Sequence, residues 1–560
     1  MKRIAFALVL PLLLLPSAAQ PQPAPTKPAV AKNGMVVCVS PPAADVGAAI
    51  LKRGGNAVDA AVAVAFALAV TWPEAGNIGG GGFMMIGPPG QEPTCIEYRE
   101  TAPAAAKADL FVDGKVTGFD HKAAGVPGTV RGLALAHQKF GKLPWKDVVM
   151  PAVKLAEEGF TVNSVLAGGL NRILDDAKTT NPEFRQVYGK LGRERWHAGD
   201  TLVLKDLGRT LRIIAENGAD AFYTGELAAL LLDEMKRGGG LIAKDDLAAY
   251  KANERKPIHT TYRGYDVYGP PPPSSGGIGL VEILNILEQF DLKKHDRWSP
   301  EVSHLMIESM KRAYCDRARY LGDPAFTKIP EHLVTKEYAK KLAAGIDLSK
   351  PTLSEKLAPE LTLDAEGDST THFSIVDKDG LAVSNTYTLE NSYGSRIVVR
   401  GAGFILNNEM TDFNPKPGVT SRGGLIGTKP NLIEPGKRML SSQTPTLVYK
   451  DGKPVLITGS PGGRTIINTV LCVVVNVIDF DMPVQEAVDA PRLHHQWFPD
   501  AAKFEGVKQY PALVEKLKAM GHTMSGQRQG DAHTIWIDPK TGLYHGAADK
   551  RIDGKAAGVP

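Results

Sequence analysis

Asp368-Ser369-Thr370-Thr371-His372-Phe373-Ser374 is the stretch from which the fold is read. It separates a charged, helix-patterned segment ending in Leu361–Gly367 from two apolar runs, Phe373–Val376 and Leu381–Leu389, that flank Asp377-Lys378-Asp379-Gly380. The runs read as paired strands, and Lys-Asp-Gly as a type I turn with Gly380 in the left-handed position. That closure pairs Asp377 with Leu381. Counting outward, Thr370 opens its strand opposite Thr388, with both side chains on one face of the sheet.

A threonine at a strand start, preceded by a small residue, can cut its own chain. Its hydroxyl attacks the Ser369 carbonyl, the peptide becomes an ester, and water releases it. The new N-terminal threonine carries an α-amine with an ordinary pKa of about 7.7 to 8.0, suited to take the proton from its own hydroxyl. Ser-Thr-Thr is also what a polar loop running into a strand contains. Both readings stand at this point.

The chain has 560 residues, 43% hydrophobic and 22% charged, which is enough for a large core. Its length suits three or four ordinary domains or one large layered unit. Against 65 basic residues stand 61 acidic ones, a balance without the basic patch that nucleic acid requires. Met1–Arg3, the apolar run Ile4–Leu15 and Pro16–Ala19 read as a secretory signal peptide over residues 1–19. The run is broken by Pro11 and too short for a membrane anchor. A disordered lead-in over 20–33, Pro-rich to Pro28, is expected to follow, in a periplasmic or secreted protein. Cys38, Cys95, Cys315 and Cys472 lie far apart without metal-ligand spacing. They read as buried thiols, with a single disulfide as the alternative.

A helix from Ala43 stops at Gly54-Gly55, and Asn56–Val70 is apolar almost all round, as a core helix is. Gly79–Gly82 lacks the Lys-Ser/Thr of a phosphate loop and precedes the strand Phe83–Ile86, so it reads as close packing. Ile96–Arg99 is a strand ending on an arginine, which either forms an ordinary ion pair or grips a carboxylate by two parallel hydrogen bonds. From Gly125 to about Glu360 the pattern is mostly helical, without catalytic spacing. Pro270–Gly277 reads as a scaffold loop within it. A Gly/Pro-rich loop, Asn414–Pro435, precedes Ser441-Ser442 and a second hairpin, Thr446–Tyr449 with Pro454–Thr458. Gly462-Gly463 then opens a helix over Arg464–Val477. Its N–H groups, at the positive end of the helix dipole, suit an oxyanion or a plain cap.

Taken together, Gly54–Ala61, Gly79–Phe83, Tyr98–Glu100, Gly125–Gly128, Thr370–Ser374, Asn407–Phe413, Leu440–Ser442, Gly459–Gly463 and His494–Trp497 resemble, in family order, the γ-glutamyltranspeptidases. The resemblance implies an α+β, four-layer α/β/β/α N-terminal-nucleophile hydrolase fold. It implies a precursor cut between Ser369 and Thr370 into a large subunit, 34–369, and a small one, 370–560, that stay together as a heterodimer. Thr370 is then the nucleophile, Thr388 its partner, and Gly462 with Gly463 the oxyanion hole. Arg99, Ser441 and Ser442 would hold the substrate's α-carboxylate, and Glu409 and Asp412 its α-ammonium. Glu390, where many members carry Asn, would add to the ammonium side. The implied partners are γ-glutamyl donors such as glutathione, with water or an amino-acid or peptide amine as acceptor, and no cofactor or metal. Ser421–Gly424 lacks the aromatic gate that some members carry in a lid loop of the length of Pro417–Pro430.

Two rivals make other demands. An acylase of the same fold needs Thr370 and the glycines but not Arg99, Glu409 and Asp412. A periplasmic solute-binding protein needs no cut. Gly459–Gly463 does not fit the G-x-S-x-G elbow of a serine hydrolase.

Overall fold

The central hairpin forms in the register its turn dictates. The computed structural model describes residues 27–176, 178–358, 364–365 and 370–560. In it the strands Thr371–Asp377 and Ala382–Thr388 pair from Thr371 with Tyr387 to Val376 with Ala382. Asp377 N–H donates to the Leu381 carbonyl at 3.1 Å, and Gly380 sits at φ 82°. The regular ladder starts at Thr371, one residue later than expected; Thr370 precedes it in the same register. The Asp377 carboxylate accepts from Asp379 and Leu381 within the turn and from Ala57 N–H at 2.9 Å. The turn is thereby tied to the first residue of the core helix.

That helix, Ala57–Thr71, is buried along its whole length and is capped at Asn56, whose side chain accepts from Val58 and Asp59 N–H. Ala and Val dominate it because it lies between a sheet and further helices. Gly79–Gly82 leads from it into the strand Gly81–Gly87. A Cβ on Gly80 would lie 2.0 Å from the Thr388 carbonyl oxygen, and one on Gly82 2.4 Å from that of Thr386. The glycine run therefore serves close backbone packing.

Two seven-stranded antiparallel sheets form the middle layers. The first runs, edge to edge, Lys555–Val559, Gly34–Cys38, Thr371–Asp377, Ala382–Thr388, Gly81–Gly87, Thr94–Glu97, Asn253–Arg255. The second runs Ala29–Ala31, Tyr544–Ala547, Thr534–Ile537, Lys453–Thr458, Thr446–Lys450, Tyr265–Gly269, Ile258–Tyr262. Helices including Pro41–Lys52, Ala57–Thr71 and Trp145–Glu158 share a core with the outer face of the first sheet, where Phe373 and Ile375 point. Helices Gly276–Leu287, Pro300–Tyr320 and Ile466–Ile478 share one with the second. Val37, Phe83, Val376, Leu447 and Ile457 fill the space between the sheets. This is the expected four-layer arrangement.

Two expectations need correction. Residues 29–31 of the supposed disordered lead-in form an edge strand paired with Tyr544–Gly546; the Pro-rich composition ends at Pro28, and Ala-Val-Ala can enter a ladder. The stretch read as mostly helical also contains Ile258–Tyr262 and Tyr265–Gly269, a hairpin closed by Arg263 and Gly264, both at positive φ. All four cysteines are buried free thiols. Among the described residues no helix is long and apolar enough to cross a membrane. The signal-peptide stretch 1–19, the rest of the lead-in to 26, and Ser369 lie outside the described residues.

Candidate active site

Strand alternation decides what faces the gap between the sheets. Even-numbered residues of Thr371–Asp377 and Ala382–Thr388 point there: apolar Val376 and Ala382 at the turn end, polar side chains at the other. His372 Nδ1 lies 2.8 Å from Thr386 Oγ1 and its Nε2 3.1 Å from Ser374 Oγ. Ser374 Oγ donates to the His533 carbonyl, and Ser384 Oγ to that of Thr458. Burial holds His372 well below its ordinary pKa, hence neutral. Thr370 and Thr388 stand at the polar end of this layer, where it opens to a cavity. Thr388 Oγ1 accepts from Glu390 N–H at 2.8 Å, and the Thr388 carbonyl accepts from Asn77.

The cavity is about 30 Å³ and is bounded by Arg99, Thr370, Thr388, Glu390, Asp412, Ser441, Ser442 and Gly463. Gly462 lines a second cavity that also reaches Thr370. Glu409 lies behind the first, fully buried. Its Oε2 is 2.6 Å from Arg99 Nη1, while Arg99 Nη2 engages Asp412 and Nε donates to the Met439 carbonyl. The structure thus gathers residues spread from 99 to 463 around Thr370.

Arg99 is completely buried, yet Glu409, Asp412 and Glu100 outweigh that burial and raise its pKa. Burial drives Glu409 well above the carboxylate range and pushes Glu100 up to about 8, against the pull of Arg99. Ligand oxygens of Glu390, Glu409 and Asp412 lie within 4.8 Å of one another, a set that attracts a cation. Two of the three already engage the Arg99 guanidinium.

Ser441 and Ser442 are seated by the Pro270–Gly277 loop that read as mere scaffold. Ser441 N–H donates to Pro273, and Ser275 donates to the Ser441 carbonyl through both its N–H and its hydroxyl. Sequence reasoning missed Arg317, whose Nη2 donates to Ser442 Oγ at 3.0 Å and whose Nε donates to Ser275. In the charged helix Pro300–Tyr320 it reads as one solvated side chain among many. Arg464 was likewise absorbed into a helix start. It lines the cavity and donates to the Gly424 carbonyl at 2.6 Å, tying down the Gly/Pro-rich loop.

The chain leaves the strand Lys453–Thr458 and turns at Gly462, φ 125°, and Gly463, φ 47°. The first turn, Gly463–Thr465, is a 3₁₀ helix that continues as Ile466–Ile478, two residues later than the expected α-helix. Gly462 caps and Gly463 opens this helix N-terminus, where backbone N–H groups lack intrahelical partners and favour negative charge. A hydroxyl, that terminus, a guanidinium and a carboxylate set share one small site, a combination able to bind a zwitterion and carry out acyl transfer.

The model of the gamma-glutamyltranspeptidase family matches residues 43–559. The glutathione hydrolase proenzyme of Escherichia coli K12 is 47% identical over 577 residues, covering 100% of this chain and 99% of that protein. Among solved structures, a cephalosporin acylase from Bacillus halodurans superposes with a TM-score of 0.86 at 29% identity, over 98% of this chain and 100% of that one. Helicobacter pylori γ-glutamyltranspeptidase superposes with a TM-score of 0.54 at 40% identity, over 56% of this chain and 91% of that one. On the match to its model and the identity to a full-length relative, the chain belongs to the γ-glutamyltranspeptidase family.

Proposed function

We propose that this enzyme matures by cutting before Thr370 and then moves γ-glutamyl groups from glutathione-like donors to water or to an amino-acid or peptide amine. The observation that carries the reading is the convergence of Arg99, Asp412, Glu409 and Ser442 with Thr370, because an α-amino-acid head presents a carboxylate and an ammonium together. The Thr370 hydroxyl adds to the γ-carbonyl while the freed α-amine takes its proton. N–H groups of Gly462 and Gly463 stabilise the oxyanion. Collapse breaks the C–N bond, the proton goes to the departing amine, and a γ-glutamyl ester of Thr370 remains. Water or an amine then attacks that ester and returns the proton to Thr370. Thr388, opposite in register, orients the nucleophile. Arg99, Ser441 and Ser442 hold the α-carboxylate; Glu409, Asp412 and Glu390 hold the ammonium.

In this reading, residues 1–19 direct export to the periplasm or exterior and are removed. The segments 34–369 and 370–560 remain together as a heterodimer, since the Gly34–Cys38 strand pairs directly with Thr371–Asp377. A cephalosporin-type acylase is the second reading, favoured by the superposition on the Bacillus halodurans enzyme.

Intact-mass measurement of the mature protein, together with initial rates on a γ-glutamyl anilide and on a glutaryl amide lacking the α-amino group, tests both. Two chains meeting at 369/370 and a strong preference for the γ-glutamyl donor are expected. One unbroken active chain, or preference for the glutaryl amide, would overturn the proposal.

A further inference from the structure

Thr370 lies where two cavities meet. The first, described above, holds the acidic and Arg99 groups. The second, about 310 Å³, opens on the other side of Thr370 and is lined by Gly462, Trp72, Val165, Ile552, Arg172 and Arg528. With Gly463 bounding one cavity and Gly462 the other, a carbonyl held at the glycine pair has its acyl chain in the first and its nitrogen substituent in the second. From the γ-glutamyl reading and this division, we infer that the second cavity is the subsite for the leaving and accepting amine, and that Arg528 recognises its carboxylate.

The two arginines differ in what they already hold. Arg172 Nη2 is 3.0 Å from Glu74 Oε1 and 3.1 Å from Ser392 Oγ, so its charge is answered within the protein. Arg528 donates only to the Arg551 carbonyl, and no carboxylate lies within ion-pair distance of it among the described residues. It is exposed at the rim, where this cavity meets a further groove of about 550 Å³ that also includes Lys508 and Lys550. A guanidinium with unused donors is shaped for a carboxylate. Asp531, also in the wall, has its Oδ1 3.4 Å from His533 Nε2 and accepts no hydrogen bond there among the described residues, which leaves it able to meet the amine end. Trp72, Val165 and Ile552 supply apolar surface between them. The volume lies at the lower end of the roughly 300–1,000 Å³ typical of small-ligand sites. The ligand class is therefore an amino acid or short peptide with a free carboxylate, such as the dipeptide released from glutathione.

The test compares processed wild-type enzyme with Arg528→Gln and Arg528→Lys. Two ratios are read: kcat/KM for glutathione over that for a γ-glutamyl anilide, and acceptor kcat/KM for glycylglycine over that for glycylglycinamide. An exposed charge-assisted contact predicts that both ratios fall about three- to tenfold in Arg528→Gln, with partial recovery in Arg528→Lys. Ratios unchanged from wild type in an active Arg528→Gln enzyme would overturn the subsite. A wild-type enzyme that turned over neither donor would overturn the γ-glutamyl reading and the subsite with it, a result distinct from active enzyme with unchanged ratios.

Discussion

Replacing Arg99 by lysine separates charge from geometry. The guanidinium now spans four partners: Nη1 meets Glu409 at 2.6 Å and Glu100 at 3.5 Å, Nη2 meets Asp412, and Nε donates to Met439 at 3.3 Å. A lysine ammonium keeps the positive charge beside fully buried Glu409 but cannot reproduce a planar fork. Arg99→Ala is the poorer test, since it removes the side chain that Glu409 and Asp412 both engage and confuses folding with recognition. In Arg99→Lys the substrate carboxylate loses one of two parallel charge-assisted bonds. A hydrogen bond to a charged group is worth about 1.5–3 kcal/mol, or roughly ten- to a hundredfold in kcat/KM. The assay compares γ-glutamyl anilide with 4-aminobutyryl anilide, which lacks the α-carboxylate. Loss confined to the γ-glutamyl substrate is expected. Equal loss on both would show that Arg99 does not hold the carboxylate.

Thr370→Ala should remain one chain by intact mass and be inactive, while Thr370→Ser keeps part of both steps because a hydroxyl remains; a cleaved Thr370→Ala protein would refute the assignment. Gly462→Ala meets both a φ of 125° and a Cβ approach of 2.6 Å to Thr465 Oγ1, so the oxyanion N–H groups should be displaced and kcat should drop about 10²- to 10³-fold, with wild-type kcat as the contrary result. Burial pushes Glu100 from an ordinary 4.5 up to about 8, so between those values the folded state binds the extra proton and stability falls as pH rises. Thermal midpoints of Glu100→Gln should therefore decline less than wild type from pH 5 to 8, and a steeper decline would contradict this.

What was legible in the sequence was mostly local or chemically marked. The Asp377–Gly380 turn specifies its own register, and register alone puts Thr370 opposite Thr388. The helix after Asn56, apolar almost all round, reads directly as a core helix. The edge strand Ala29–Ala31 escaped because it is three residues long and its partner, Tyr544–Gly546, lies more than 500 residues away; the hairpin Ile258–Tyr262 with Tyr265–Gly269 escaped because its Arg-Gly turn sits inside a stretch that is otherwise helical. Arg317 and Arg464 escaped for a related reason. Their importance lies in contacts with Ser442 and Gly424, and nothing in the spacing of a charged helix announces a partner 125 residues downstream. Ser275 shows the same limit: a Pro-Ser-Gly loop reads as a linker until its hydroxyl is seen on the Ser441 carbonyl.

The state of the head site bears on what it selects. A cavity of about 30 Å³ has room for a water or two, so an amino-acid head enters only if groups now in contact separate. Those groups are Arg99 and Asp412. A ligand carrying only a carboxylate would take Arg99 from Asp412 and leave that acid without its counter-charge. A ligand carrying only an ammonium would find its acids already engaged by Arg99. An α-amino acid would supply both ends at once, so the Arg99–Asp412 pair is exchanged for two pairs with the ligand while Arg99 keeps Glu409. On the proposed reading, selectivity for the zwitterionic head would follow from the closed Arg99–Asp412 pair and apply to the acyl side alone. On the inferred division the amine side, across Thr370, faces a roomier cavity and Arg528, which has no carboxylate partner among the described residues, so substitutions at Arg99 and at Arg528 should separate donor head from acceptor.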